Sequence, residues 1–170
     1  QAEKLRAAGV ANVEVVSNVT ETKGTPSKLP AGKTLKLAWI GRFSPEKRLE
    51  VALEGVSLAK EMLVAQGLDP HSIELHIAGG PAREGNDNHW HGTLTADGVS
   101  KLLSESHALV MTSLGFDNQP MVILEAFAHA RPVILTDPVL GKEFGDAAVL
   151  TPTPDAAGLA LSLVELAKQS

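Results

Sequence analysis

The chemistry this sequence can offer is concentrated in three short stretches. The first is Gly41-Arg42-Phe43-Ser44-Pro45-Glu46-Lys47. A guanidinium presents a planar fork to phosphate oxygens, an ammonium a flexible point charge, and Gly41 lets backbone approach a ligand. Lys47 falls in the first turn of a predicted helix, where the helix dipole disfavours a cation unless an anion is present. The placement suits a bound anion, although two solvated surface charges would look the same in sequence. The second stretch runs from Gly79 to Gly92. Its paired glycines, Gly79 and Gly80, permit either close approach to a ligand or a plain tight turn. The third, GFDNQPMVILEA from Gly115 to Ala126, carries Asp117 and Glu125. Glu125 lies between Leu124 and Ala126 in an apolar helix, a costly place for an unpaired carboxylate. It needs donors, which a ribose diol, Arg131 or a backbone group could supply. Asp117 reads equally as a loop residue or an acid at a helix start.

Other chemistries find less support. His89 and His91 flank Trp90 and could share a strand face, but a metal needs further ligands and only Asn86 or Asp87 is at hand locally. No metal site and no cofactor are expected. Ser106 and Ser113 have no neighbouring acid–base constellation of a hydrolase. Trp39, Phe43, Trp90 and Phe127 read as core or pocket wall rather than a stacking platform for bases. The formal net charge of −5 argues against nucleic acid, which would require a basic face. There is no cysteine, which removes disulfides and thiolate chemistry and fits a reducing cytosol. No apolar run reaches the ~18 residues of a membrane span, and no signal peptide is evident.

These stretches must be held by elements that the hydrophobic pattern predicts. Leu35–Gly41 and His107–Thr112 are near-continuous apolar runs suited to strands buried on both faces, as are Ile73–Ala78 and Pro132–Thr136. Shorter strands are predicted at Val13–Val16, in HWHGTL (89–94) and at Ala147–Leu150. Ser44-Pro45-Glu46 opens a helix whose core face is Leu49, Ala52, Val56, Ala59 and Leu63, ending near Gly67. Further helices are predicted over Gln1–Ala8, Ala96–Ser106, Met121–Ala130 and Pro154–Ala167, with a loop over 21–33. The alternation predicts an α/β, doubly wound, mainly parallel sheet with helices on both faces, in one domain over residues 1–170. Loops 41–47, 79–92 and 113–125 all leave strands at their C-terminal ends, where such sheets bind ligands.

In this order and spacing the segments resemble the C-terminal, donor-binding domain of retaining GT-B glycosyltransferases of the glycosyl transferases group 1 family. The resemblance rests on GRFSPEK, LHIAGG, HWHGTLT, SESHALVMTS with DNQPMVILEAFAHARPVILTD, and GDAAVL. It implies that Arg42 and Lys47 neutralise the diphosphate of a nucleotide-sugar donor, and that Gly41, Gly79 and Gly80 allow close approach. It also implies that His91 and Gly92 lie near the base, that Glu125 binds the ribose and that Asp117 lies by the transferred sugar. Backbone N–H groups around Gln119, Met121 and Val122 would face sugar and phosphates. The chemistry implied is metal-independent.

Three departures stand out: Asp117 where Glu is usual, Pro120 where many members carry Gly, and Ala130 where a glycine commonly follows the helix. The last is expected to shift the helix exit. A chain opening at Gln1 within a helix is expected to be part of a longer, two-domain enzyme, inactive without its acceptor-binding N-terminal domain. The expected location is the cytoplasm, with the missing domain able to bring it to the inner face of a membrane. Two other readings stay open: another GT-B enzyme, such as a sugar-nucleotide epimerase or a phosphorylase, and a non-catalytic scaffold domain. An NAD-binding domain is disfavoured, because no G-x-G-x-x-G follows the first strand.

Overall fold

The structure is a computed structural model that describes residues 2–14, 24–83, 88–115, 117 and 120–169. After a short helix, α1 (Ala2–Ala7), the chain alternates strand and helix: β1 (Leu35–Ile40), α2 (Leu49–Ala65), β2 (Ile73–Ala78), β3 (Asn88–Trp90), α3 (Ala96–Ser104), β4 (Ala108–Met111), α4 (Met121–Ala128), β5 (Val133–Leu135), α5 (Pro138–Phe144), β6 (Ala148–Leu150) and α6 (Ala156–Ala167). The strands form one parallel sheet in the order β3-β2-β1-β4-β5-β6. That is the order of a doubly wound fold, in which the direction of winding reverses between β1 and β4.

Burial follows the alternation of side chains along the strands. Leu35, Leu37 and Trp39 of β1, with Leu75 and Ile77 of β2, face α2 and α6. Ala38, Ala78, Leu109 and Met111 face the other way, under α3, α4 and α5. Helices therefore cover both faces of the sheet, as the apolar runs require. Among the described residues no helix is long and apolar enough to cross a membrane.

The structure moves several predicted boundaries. The helix expected from Ser44 onward is interrupted: Pro45–Lys47 forms a 3₁₀ turn, Arg48 takes a left-handed conformation (φ 51°), and α2 begins at Leu49. Val13 and Glu14 form no strand, and the rest of that predicted segment lies outside the described residues. The strand in HWHGTL ends at Trp90, and Gly92 turns the chain with a φ of 70°. The helix α5 was not predicted; Asp137 caps it by accepting from Val139 N at 2.8 Å, and Pro138 stands at its first position.

The exit of α4 is not shifted by Ala130. Arg131 N donates to Ala126 O and Ala130 N to Phe127 O, each at 2.9 Å, with Ala130 at φ 57°. These two bonds make the Schellman ending that glycine usually supplies, so an L-residue accepts the left-handed conformation instead. The turn delivers Arg131 to a buried position (1% exposed). Its guanidinium donates to the carbonyls of Leu103 (3.2 Å) and Ser104 (2.9 Å) at the end of α3. It also donates to the carbonyls of Ser27 (3.0 Å) and Lys28 (2.8 Å). Arg131 thus joins α3, α4 and the segment before β1, and it is not the partner of Glu125.

Candidate functional site

The winding reversal sends the chain from β1 to one face of the sheet and from β4 to the other, leaving a crevice between the two loops. Lys47 and Asp117 meet across that crevice. Lys47 Nζ lies 2.7 and 2.8 Å from the two carboxylate oxygens of Asp117, with the side chains 18% and 12% exposed. The anion that offsets Lys47 is thus supplied by the chain itself. A bidentate, largely desolvated contact of this kind is stronger than a surface pair.

Hydrogen bonds made by the side chains of Thr112 and Asp137 hold both loops. Thr112, just past β4, accepts from the indole N–H of Trp39 at 3.0 Å and donates its hydroxyl proton to Lys47 O at 2.8 Å. Buried Asp137 accepts from Gly115 N at 2.7 Å while capping α5 with its other oxygen. Ser113, between them, is buried with an unpartnered hydroxyl among the described residues. Thr112 and Asp137 were not singled out in the sequence, because their importance lies in contacts with residues far along the chain.

The glycines prove to have work inside the chain. Gly79 has a φ of 108°, and a Cβ there would strike the carbonyl of Gly41; a Cβ on Gly80 would strike the ring of Phe43. Gly41 N donates to Ala78 O and Gly79 N to Gly92 O, so the ends of β1, β2 and β3 are tied in sequence. Phe43 then lies against Trp39 and Trp90, with centroids 6.0 and 5.7 Å away. Arg83 covers Phe43 and Trp90 at 5.6 and 5.0 Å, a cation over two aromatic faces. Trp39 is part of the core and Phe43 and Trp90 pack against it, the core alternative of the sequence reading.

Other predicted site residues are near the crevice but less constrained. Arg42 is exposed (side chain 76%), with Glu46 3.8 Å away. α4 begins after Pro120 without a side-chain cap, leaving the N–H groups of Met121 and Val122 directed out of its first turn. Glu125, in the same helix, is half-buried and has no polar side-chain partner among the described residues. His91 stands at the exit of β3, its Nε2 3.0 Å from His76 Nδ1, and burial and then His89 lower its pKa. Gln119 lies outside the described residues, as do Asn86 and Asp87.

Two hollows elsewhere are not alternatives. One of about 290 Å³ lies against α2 beside Pro70 and Asn88. The other, about 260 Å³, is apolar and lies by Leu35, His107 and Pro132 at the N-terminal ends of the strands, opposite the crevice.

The family model described as "Glycosyl transferases group 1" matches residues 34–169. No curated protein matches the chain. Among solved structures, it is similar to an S. aureus TarM mutant in complex with UDP, Fondaparinux and alpha-GlcNAc-glycerol. The TM-score is 0.75 at 18% identity, covering 98% of this chain and 34% of that one. It is also similar to the catalytic domain of a Helicobacter pylori cholesterol-alpha-glucosyltransferase, with a TM-score of 0.60 at 20% identity, over 79% of this chain and 87% of that one. A pneumococcal O-GlcNAc transferase, GtfA, in complex with UDP and GlcNAc gives 0.60 at 17% identity, over 86% of this chain and 32% of that one. The chain therefore spans about a third of the length of the TarM and GtfA chains.

Proposed function

The chain belongs to the glycosyl transferases group 1 family and has the Rossmann-like GT-B fold, and from that premise we propose that it is the donor-binding half of a retaining glycosyltransferase. The donor is a nucleotide-diphosphate sugar, and transfer requires a second, acceptor-binding domain. The observation that carries this reading is the Lys47–Asp117 pair, which spans the crevice at the winding reversal beside the uncapped start of α4.

In this reading the diphosphate replaces Asp117 as the partner of Lys47. Arg42, free to swing in from solvent, adds a second cation, and the N–H groups around Gln119, Met121 and Val122 add fixed dipoles. As the bond to the sugar breaks, negative charge builds on the leaving diphosphate, and these groups stabilise it where it forms. The displaced carboxylate of Asp117 is left beside the sugar. Glu125, without a polar side-chain partner among the described residues, takes the ribose hydroxyls. Gly41, Gly79 and Gly80 shape the floor, and His91 and Gly92 border the base. No metal is required, since the protein's own cations neutralise the diphosphate.

UDP bound to two structurally similar transferases makes it the first nucleotide to try. Calorimetric titration of the chain with UDP, GDP and ADP is expected to give saturable binding to one of them. Arg42→Ala should weaken that binding about tenfold, the loss of one or two hydrogen bonds to a charged group. The chain alone should release no sugar to an acceptor. Absence of saturable binding to all three would overturn the donor-site reading and favour a non-catalytic domain.

A further inference from the structure

At the outer edge of the sheet, residues far apart in sequence are brought together. β2 and β3 run parallel with His76 directly across from His89. Leu75 and Ile77 of β2 are buried in the core that α2 covers, so alternation turns Glu74 and His76 to the opposite face. The imidazoles of His76 and His89 stack with centroids 4.4 Å apart and planes 16° from parallel; His91 stacks on His76 at 5.2 Å. One ligand atom from each of Glu74, His76 and His89 lies within 4.8 Å of the others.

The hydrogen bonds narrow what this cluster can hold. His76 Nδ1 and His91 Nε2 are 3.0 Å apart and share one proton. With that proton on His76 Nδ1, the lone pair of His76 Nε2 is bare. This nitrogen is buried, has no hydrogen-bond partner among the described residues, and lies 3.5 Å from a carboxylate oxygen of Glu74. Two electron-rich atoms then face each other, an arrangement that a cation between them resolves. A histidine ligand commonly donates its second N–H to a neighbouring acceptor that fixes its tautomer, and His91 Nε2 is placed to be that acceptor.

We propose that Glu74, His76 and His89 form a binding site for a divalent transition-metal ion of the zinc type, with His91 orienting His76. Two imidazoles and a carboxylate are a ligand set such ions accept, with water completing the coordination. Bonds of about 2.0–2.1 Å place tetrahedral ligands roughly 3.3 Å apart, and rotation of the exposed His89 closes the difference. The ion staples a three-residue edge strand to its neighbour. Because His91 and Gly92 follow β3 directly, the ion also fixes where that strand leaves the sheet.

The test is calorimetric titration of zinc sulfate into the EDTA-treated chain, with thermal unfolding measured alongside. One zinc per chain is expected, with a micromolar Kd and a Tm raised by roughly 5 °C at saturation. His89→Ala and Glu74→Gln, both at partly or fully exposed positions, should each weaken binding tenfold or more. His91→Ala should weaken it about tenfold. His71→Ala, at an exposed histidine ahead of β2, should change nothing. Absence of saturable zinc binding, or equal affinity in H89A and E74Q, would overturn the proposal.

Discussion

Arg131 and Lys47 each reach across the molecule to hold a distant segment, but they lie among different acceptors. Arg131 is buried and spreads its donors over four backbone carbonyls from two separate segments, with no carboxylate among them. Two of those carbonyls end α3, where the helix dipole is negative. Nothing that arrives from solvent can compete for this cation, because its partners are parts of the fold. Lys47 is largely buried in a crevice and paired with the Asp117 carboxylate. A second anion of higher charge can take that place. A cation held by many neutral carbonyls is a fastening, whereas one held by a carboxylate is exchangeable.

The sharpest way to break the comparison is Arg131→Met, which keeps much of the volume and removes every donor. Unfolding in urea should show a loss of about 3 kcal/mol or more, because the carbonyls are left unsatisfied, while the folded fraction binds nucleotide normally. Lys47→Met should shift the balance: a tenfold or greater loss of nucleotide affinity, and a smaller loss of stability than Arg131→Met, about 2 kcal/mol, from the Asp117 carboxylate left unpaired. Asp117→Asn then sharpens the point. It removes the Asp117 carboxylate that a nucleotide must displace from Lys47, so nucleotide affinity in the same titration should rise several-fold; a fall would mean that the pair is a fastening too. The smallest effect concerns the turn that delivers Arg131. Ala130→Gly relieves a left-handed alanine and should add about 1 kcal/mol of stability with nucleotide binding unchanged.

Local pattern and long-range contact were unequally legible in the sequence. Ile73–Ala78 and the core face of α2 could be read because apolar periodicity is a local property. α5 was also within reach: Asp137-Pro138 is a capping residue followed by proline, a start signal that its short, mixed sequence obscured. Arg42, Lys47, Asp117 and Glu125 could be named, but not the pairing of Lys47 with Asp117. That pairing depends on β4 lying next to β1, a matter of strand order that alternation alone does not fix. The same reason hid Glu74 and His76 from the histidine cluster. A search for ligands beside His89 and His91 stayed within the segment, whereas the sheet supplies them from the neighbouring strand. Arg131 was considered as a partner for one carboxylate and instead serves backbone carbonyls, whose positions no residue type announces.

The hydrogen-bonded chain from Trp39 through Thr112 to the carbonyl of Lys47 has an optical consequence. The protein contains two tryptophans, and the buried one is wired to the peptide that carries the crevice cation. Any shift of that peptide alters the hydrogen bond at the indole nitrogen and with it the wavelength of Trp39 emission. With Trp90 replaced by Phe, the remaining fluorescence becomes a label-free gauge of the crevice, built into β1 by the fold itself.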